Sequence, residues 1–115
     1  MTVKHLNSGD ILSQAVEHAG VVYVAGLTAD NLMADIKGQT KQVLDKIDAI
    51  LKKMGTDKSK LLAATLYFTR IGDKAAANEV WKAWLGPHER PARAGIAVAL
   101  NSPDTLIEIM VTAAK

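Results

Sequence analysis

Between positions 36 and 54 the side chains Ile36, Thr40, Val43, Leu44, Ile47, Ile50, Leu51 and Met54 recur at spacings of three and four. That period lays them on one stripe of an α-helix, with Lys37, Lys41, Asp45, Asp48 and Lys52 on the other side. The spacing predicts a helix that starts near Asp35 and stops at Gly55, a residue suited to the left-handed turn that ends helices. Before it, Leu12–Glu17 and Val21–Ala25 read as strands around a turn at His18-Ala19-Gly20, and Thr28–Ala34 reads as a loop. After it, Leu62, Ala64, Leu66 and Phe68 alternate with Ala63, Thr65, Tyr67 and Thr69 as in a half-buried strand. A second helix is predicted from an N-cap at Asp73 to Leu85, ended by Gly86-Pro87. It carries Ala77, Val80, Trp81, Trp84 and Leu85, and core packing is the expected role of both tryptophans.

The last quarter alternates again. Pro91-Ala92-Arg93 leads into Ile96-Ala97-Val98-Ala99-Leu100, a turn at Asn101-Ser102-Pro103-Asp104, and the run Leu106–Val111. Period two puts Ile96, Val98 and Leu100 on one face and Arg93, Ala97 and Ala99 on the other. In the second run Ile107, Ile109 and Val111 share a face and Glu108 points away from them. A hairpin that pairs Leu100 near Thr105 merges the two apolar rows into one core face and leaves Arg93 and Glu108 on the opposite one. In that register Glu108 lies opposite Ala97, four residues or about 13 Å along the strand from Arg93. A ligand, a bulge or a neighbouring subunit would have to bridge them. A guanidinium and a carboxylate on rigid strands suit the gripping of a small carboxylate and the handling of a proton, whereas a solvated surface ion pair would carry no function.

The predicted order is β-β-α-β-α-β-β, an α+β domain with two helices on a mixed sheet. Two helices cover one face only. The other is expected to expose Tyr23, Thr65, Tyr67, Ala97, Ala99, Leu106 and Met110, an apolar patch that favours self-association.

Composition narrows the classes. The 115 residues make one domain spanning 1–115, and 49% hydrophobic against 23% charged residues is ordinary for a folded chain. A net charge of +2 with dispersed lysines gives no basic stripe, so nucleic acid is not an expected partner. With no cysteine, thiol catalysis, disulfides and thiolate metal sites are excluded. His5, His18 and His88 have no ligand spacing, and no glycine-rich nucleotide loop or nucleophile elbow occurs, so neither metal nor organic cofactor is expected. Arg90, before a proline, reads as a solvated loop residue. No signal-like or membrane-spanning run is present, and a cytoplasmic protein is the expectation.

Several segments, in order, resemble the RidA (YjgF) family of enamine/imine deaminases. They are Ser13-Gln14-Ala15-Val16 and Val22-Tyr23-Val24-Ala25-Gly26, then Gln39-Thr40-x-Gln42-Val43-Leu44 with Ile47-x-x-Ile50-Leu51 and Gly55, then Ala77-Asn78-Glu79-Val80-Trp81. Pro91-Ala92-Arg93 and Ile107-Glu108-Ile109 complete the set, with arginine and glutamate fifteen residues apart (108 minus 93). The resemblance implies a chorismate-mutase-like fold and a homotrimer with pockets between subunits. It implies that Arg93 binds the substrate carboxylate and that Glu108 holds or activates the attacking water. Leu12, Ala25, Gly26 and Asn78 are implied to line the substrate pocket. The implied activity is hydrolysis of 2-imino or 2-enamino acids to 2-keto acids and ammonia, without a cofactor. Leu12 stands where the family has tyrosine and Ala25 where serine is frequent, and Arg93 is followed by Ala94-Gly95 where a hydroxyl residue is common. The missing hydroxyls favour an alternative: a non-catalytic trimer that binds small carboxylic acids as a sensor or chaperone. An RNA-acting role, claimed for some relatives, is opposed by the near-neutral charge.

Overall fold

A computed structural model describes residues 2–115. Its elements are β1 (Lys4–Leu6), β2 (Ala15–His18), β3 (Val21–Thr28), α1 (Ile36–Lys53), β4 (Leu61–Phe68), α2 (Lys74–Leu85), β5 (Ala92–Ala97) and β6 (Ile107–Ala114). The expected order is present with one short strand added in front. The predicted first strand shrinks to its second half, because residues 7–14 form a loop that returns the chain from β1 to β2.

Helix α1 follows its pattern. The Asp35 carboxylate accepts the Gly38 N–H at 2.8 Å, which satisfies one of the free donors of the first turn. Gly55 has φ of +80°, as its predicted place after the helix requires. Helix α2 ends at Gly86, φ +58°. Its start differs from expectation: Asp73 makes no capping hydrogen bond and instead lies 3.6 Å from Arg70 Nε.

The sheet runs β1-β2-β3-β6-β4-β5. The expected C-terminal hairpin does not form. β5 pairs in parallel with β4, Arg93 beside Ala64 and Ile96 beside Tyr67. β6 lies on the other side of β4, antiparallel to it and to β3. Composition accounts for the placement. β6 offers an unbroken row, Ile107, Ile109, Val111 and Ala113, and takes the central slot where both backbone edges are paired. β5 begins after a proline, contains a glycine and is alanine-rich, the character of an edge strand.

The consequence for β5 is a reversal of faces. In-register neighbours point the same way, so Arg93, Gly95 and Ala97 share the helix side with Ala64, Leu66 and Phe68. Ile96 and Val98 turn outward and are 43% and 44% exposed. Leu62 is also outward, at 47%, because the β4–β6 register shifts between Leu61 and Ala63. The uncovered face thus presents Tyr23, Thr65, Tyr67 and Met110 as expected, with Ile96 and Val98 in place of Ala97 and Ala99. Leu106 is buried instead of exposed.

The core lies between the sheet and the two helices, where Leu44, Ile47, Leu51, Leu66, Phe68, Leu85, Ile107 and Ile109 are fully buried. Gln39, read from sequence only as part of a family segment, is buried among them. Its Nε2 donates to Leu32 O (3.2 Å), Ala34 O (3.1 Å) and Asp104 O (2.9 Å), and its Oε1 accepts the Leu106 N–H at 3.0 Å. One amide therefore ties α1 to the chain entering β6, two residues before Glu108. Gln39→Leu fills the same space but strands the Leu106 N–H and the carbonyls. It is expected to cost about 2–4 kcal/mol, read as a lower urea midpoint at unchanged slope.

Candidate functional site

Arg93 sits on edge strand β5 facing α2. Its Nη2 donates to Asn78 Oδ1 at 2.6 Å, and its guanidinium carbon lies 5.4 Å from the centroid of the Trp81 ring. The ring is nearly buried and attracts the guanidinium by cation–π interaction. Partial burial lowers the pKa of Arg93 from the usual arginine value, since desolvation disfavours the cation; arginine remains charged at any ordinary pH. Among the described residues, no ion pair involves Arg93. Its fork opens into a hollow of about 350 Å³ lined by Asn78, Trp81, Lys82, Arg90, Pro91 and Arg93. A fixed, unneutralised guanidinium in a hollow is suited to a planar anion.

Glu108 occupies the opposite face of the sheet. It pairs with Thr28 on β3 and with Tyr67 on β4, and Tyr67 in turn pairs with Ile96. Thr28, Glu108, Tyr67 and Ile96 thus make one row across the uncovered face. The register of β3 shifts between Val24 and Leu27, so that Ala25 and Gly26 bulge beside Glu108. A Cβ on Gly26 would overlap Glu108 Oε2 and crowd its Cδ at 3.0 Å. The glycine therefore leaves room for the carboxylate. Gly26→Ala is expected to push the Glu108 side chain aside while leaving the fold intact, because the group displaced is the far end of a flexible side chain. If Glu108 acts on water, turnover falls by about tenfold or more with the thermal midpoint nearly unchanged; a parallel loss of both would assign Gly26 to stability alone.

The six sequence-predicted site residues thus divide. Arg93 and Asn78 meet on the helix side, and Glu108 and Gly26 meet on the open side. Ala25 is tied by its N–H to Gln14 O at 2.9 Å, which brings the β1–β2 loop towards the bulge. Leu12 lies in that loop, 56% exposed, its carbonyl accepting the Gly9 N–H. Arg93 and Glu108 do not share a face, contrary to the hairpin reading, and the sheet separates them.

Two contributors escaped the sequence reading. Trp81, expected only in the core, is buried there and also supports Arg93 with its ring. Arg90 is exposed but not loose: Nη1 donates to Gly86 O (2.8 Å) and His88 O (2.6 Å), which fixes it at the rim of the hollow. The helical period could have suggested the first, since Trp81 lies three residues after Asn78 and shares its side of α2. Nothing local signals the second. A smaller hollow between α1 and α2, lined by Lys41, Leu44, Asp45, Val80, Ala83 and Trp84, contains none of the expected residues. No helix of the described residues is long and apolar enough to cross a membrane, and among them no three His, Asp or Glu side chains cluster as metal ligands would.

Two helices on one face of a mixed six-stranded sheet, with the other face uncovered, define an α+β domain. Residues 3–115 match the family model described as Endoribonuclease L-PSP. A RutC family protein of Haemophilus ducreyi is 38% identical over 102 residues, 89% of this chain and 87% of that protein. The RutC family protein YoaB of Escherichia coli is 35% identical over 114 residues, 99% of each. The crystal structure of a YjgF-family member from Neisseria meningitidis superposes with a TM-score of 0.96 at 34% identity, covering 100% of this chain and 96% of that one. The chain belongs to this family, the YjgF/RidA (RutC) proteins.

Proposed function

We propose that this chain is the subunit of a homotrimer that hydrolyses 2-imino or 2-enamino acids to 2-keto acids and ammonia. The observation that carries the reading is the Arg93 guanidinium, held by Asn78 and Trp81, in no ion pair among the described residues, and open to a hollow. It would hold the substrate carboxylate by two parallel N–H bonds. Because Glu108 lies across the sheet from it, the reaction needs Glu108 from a second copy. The uncovered face, with Tyr23, Met110, Ile96 and Val98 exposed, supports such an assembly.

The chemistry is balanced without a cofactor. A protonated imine is already electrophilic at carbon. Glu108 takes a proton from water as the oxygen bonds to that carbon, giving a carbinolamine. That proton then passes to nitrogen, Glu108 takes the hydroxyl proton as the C–N bond breaks and the C=O bond forms, and the keto acid and ammonia leave, the ammonia taking the proton from Glu108 as ammonium. Arg93 fixes the carboxylate so that the carbon meets the water in one orientation. Leu12 and Ala25 bring no hydroxyl to the water, which favours the second reading, a trimer that binds small carboxylic acids without turning them over.

Ammonia release from iminopropanoate generated in situ tests the first reading, and sedimentation equilibrium tests the assembly. Release above the uncatalysed rate with a trimer mass at micromolar concentration is expected. Keto-acid binding with no release would leave the binding reading; a lone monomer would remove the shared site.

A further inference from the structure

We propose that the Arg93 hollow selects ligands with two anionic groups, that is 2-imino and 2-keto dicarboxylates, with Arg90 as the receptor of the second carboxylate. This rests on the proposed reading that Arg93 takes the first.

Three cations that form no ion pair among the described residues lie along this stretch of the helix side. Arg93 is one. Arg90, three residues earlier, is pinned through Nη1 to Gly86 O and His88 O, and its other N–H groups bond no atom of the described chain. Lys74, at the start of α2, lies over Gly95: a Cβ there would stand 3.4 Å from Lys74 Nζ. Gly95 shares the face of Arg93 and is two residues, about 7 Å, further along the strand. Cations thus flank Arg93 on both sides. Lys82, also lining the hollow, is matched by Glu79 at 3.2 Å, so this pair adds no net charge. Asp73, next to Lys74 in sequence, faces Arg70 instead. Glu89 is exposed and forms no ion pair with Arg90 among the described residues.

Lys74, Arg90 and Arg93 together carry three positive charges, more than the +2 of the whole chain. Arg90 and Arg93, which line the same hollow, repel each other, and more so where water is partly excluded. A monocarboxylate neutralises one of them. A dicarboxylate neutralises two, and Arg90, being already anchored, loses little freedom on binding it. Gly95 contributes by leaving Lys74 space above the strand. The same field opposes substrates with cationic side chains, such as imines derived from lysine or arginine.

The stable keto acids serve as probes. Calorimetry at low salt on the intact oligomer compares 2-oxobutanoate with oxaloacetate and 2-oxoglutarate. The diacids are expected to bind about tenfold more tightly, with the preference shrinking as salt is raised. Arg90→Gln is expected to bring the diacid-to-monoacid ratio close to one, and Arg90→Lys to retain part of it. Equal affinities in the wild type, or a ratio unchanged in Arg90→Gln, would overturn the proposal. Tighter binding of 3-phosphoglycerate than of either diacid would overturn the choice of a carboxylate as second anion. Hydrolysis of iminobutanoate without a diacid preference sinks this inference and leaves the deaminase reading standing. A diacid preference lost in Arg90→Gln, with no imine hydrolysed, does the reverse.

Discussion

Glu108→Gln is expected to bind 2-keto acids as the wild type does and to lose about 10²- to 10⁴-fold of its imine hydrolysis. The amide is nearly the same shape as the carboxylate. Glu108 is a half-buried residue whose neighbours Ile107 and Ile109 carry the packing of β6, so the strand should be unaffected. What the substitution removes is the capacity to accept a proton from water. Arg93 is on the opposite face of the same chain, so carboxylate binding should persist. A surface ion pair or a solvated carboxylate would predict a change of a few tenths of a kcal/mol in stability and unaltered turnover. Ammonia release measured side by side decides: equal rates above background in both proteins would remove Glu108 from the reaction.

Arg93→Ala is expected to weaken keto-acid binding by about 2–3 kcal/mol, roughly 30- to 150-fold. Arg93→Lys should restore little, because an ammonium cannot present two parallel N–H groups to a carboxylate. Both variants should fold, since the guanidinium is only partly buried and Asn78 can turn to water. Calorimetry with pyruvate reads the loss, and wild-type affinity in either variant would refute the assignment. The positions of Arg93 and Glu108 add a sharper test. If one subunit supplies Arg93 and its neighbour Glu108, two dead variants can rescue each other. Co-refolding Arg93→Ala with Glu108→Gln in equal amounts should create intact sites at about a quarter of the interfaces by random pairing. A site made within one chain would recover nothing, because no single chain in the mixture holds both residues.

The first helix was legible because its determinants are local. Its stripe, the Asp35 cap and the Gly55 stop are all encoded within a few residues of where they act. The seven expected elements were legible for the same reason. Strand pairing was not. Alternation states which residues share a face, yet names neither the partner strand nor the side that faces the helices. A short turn between two alternating runs suggests a hairpin, since consecutive strands are often neighbours. Here the segment between β5 and β6 passes the end of β4, where Thr69 Oγ1 donates to Thr105 O at 2.6 Å. β6 then enters the centre of the sheet.

The candidate site divides along the same line. Arg93, Glu108, Asn78 and Gly26 stood out as residues, from chemistry and from a family resemblance that the comparisons bear out. The pairing of Arg93 with Asn78 and Trp81, the room that Gly26 leaves for Glu108, and the row of cations from Arg90 to Lys74 were decided only by tertiary structure. The sequence by itself determined the elements, the buried stripe of α1, the apolar row of β6 and the residue types available for chemistry, because periodicity and capping act over a turn or two of chain. Which strand stands beside which, and therefore the opposite faces of Arg93 and Glu108, was decided by competition among strands for the central positions. That competition is settled by burial summed over the whole sheet, a quantity no local segment contains.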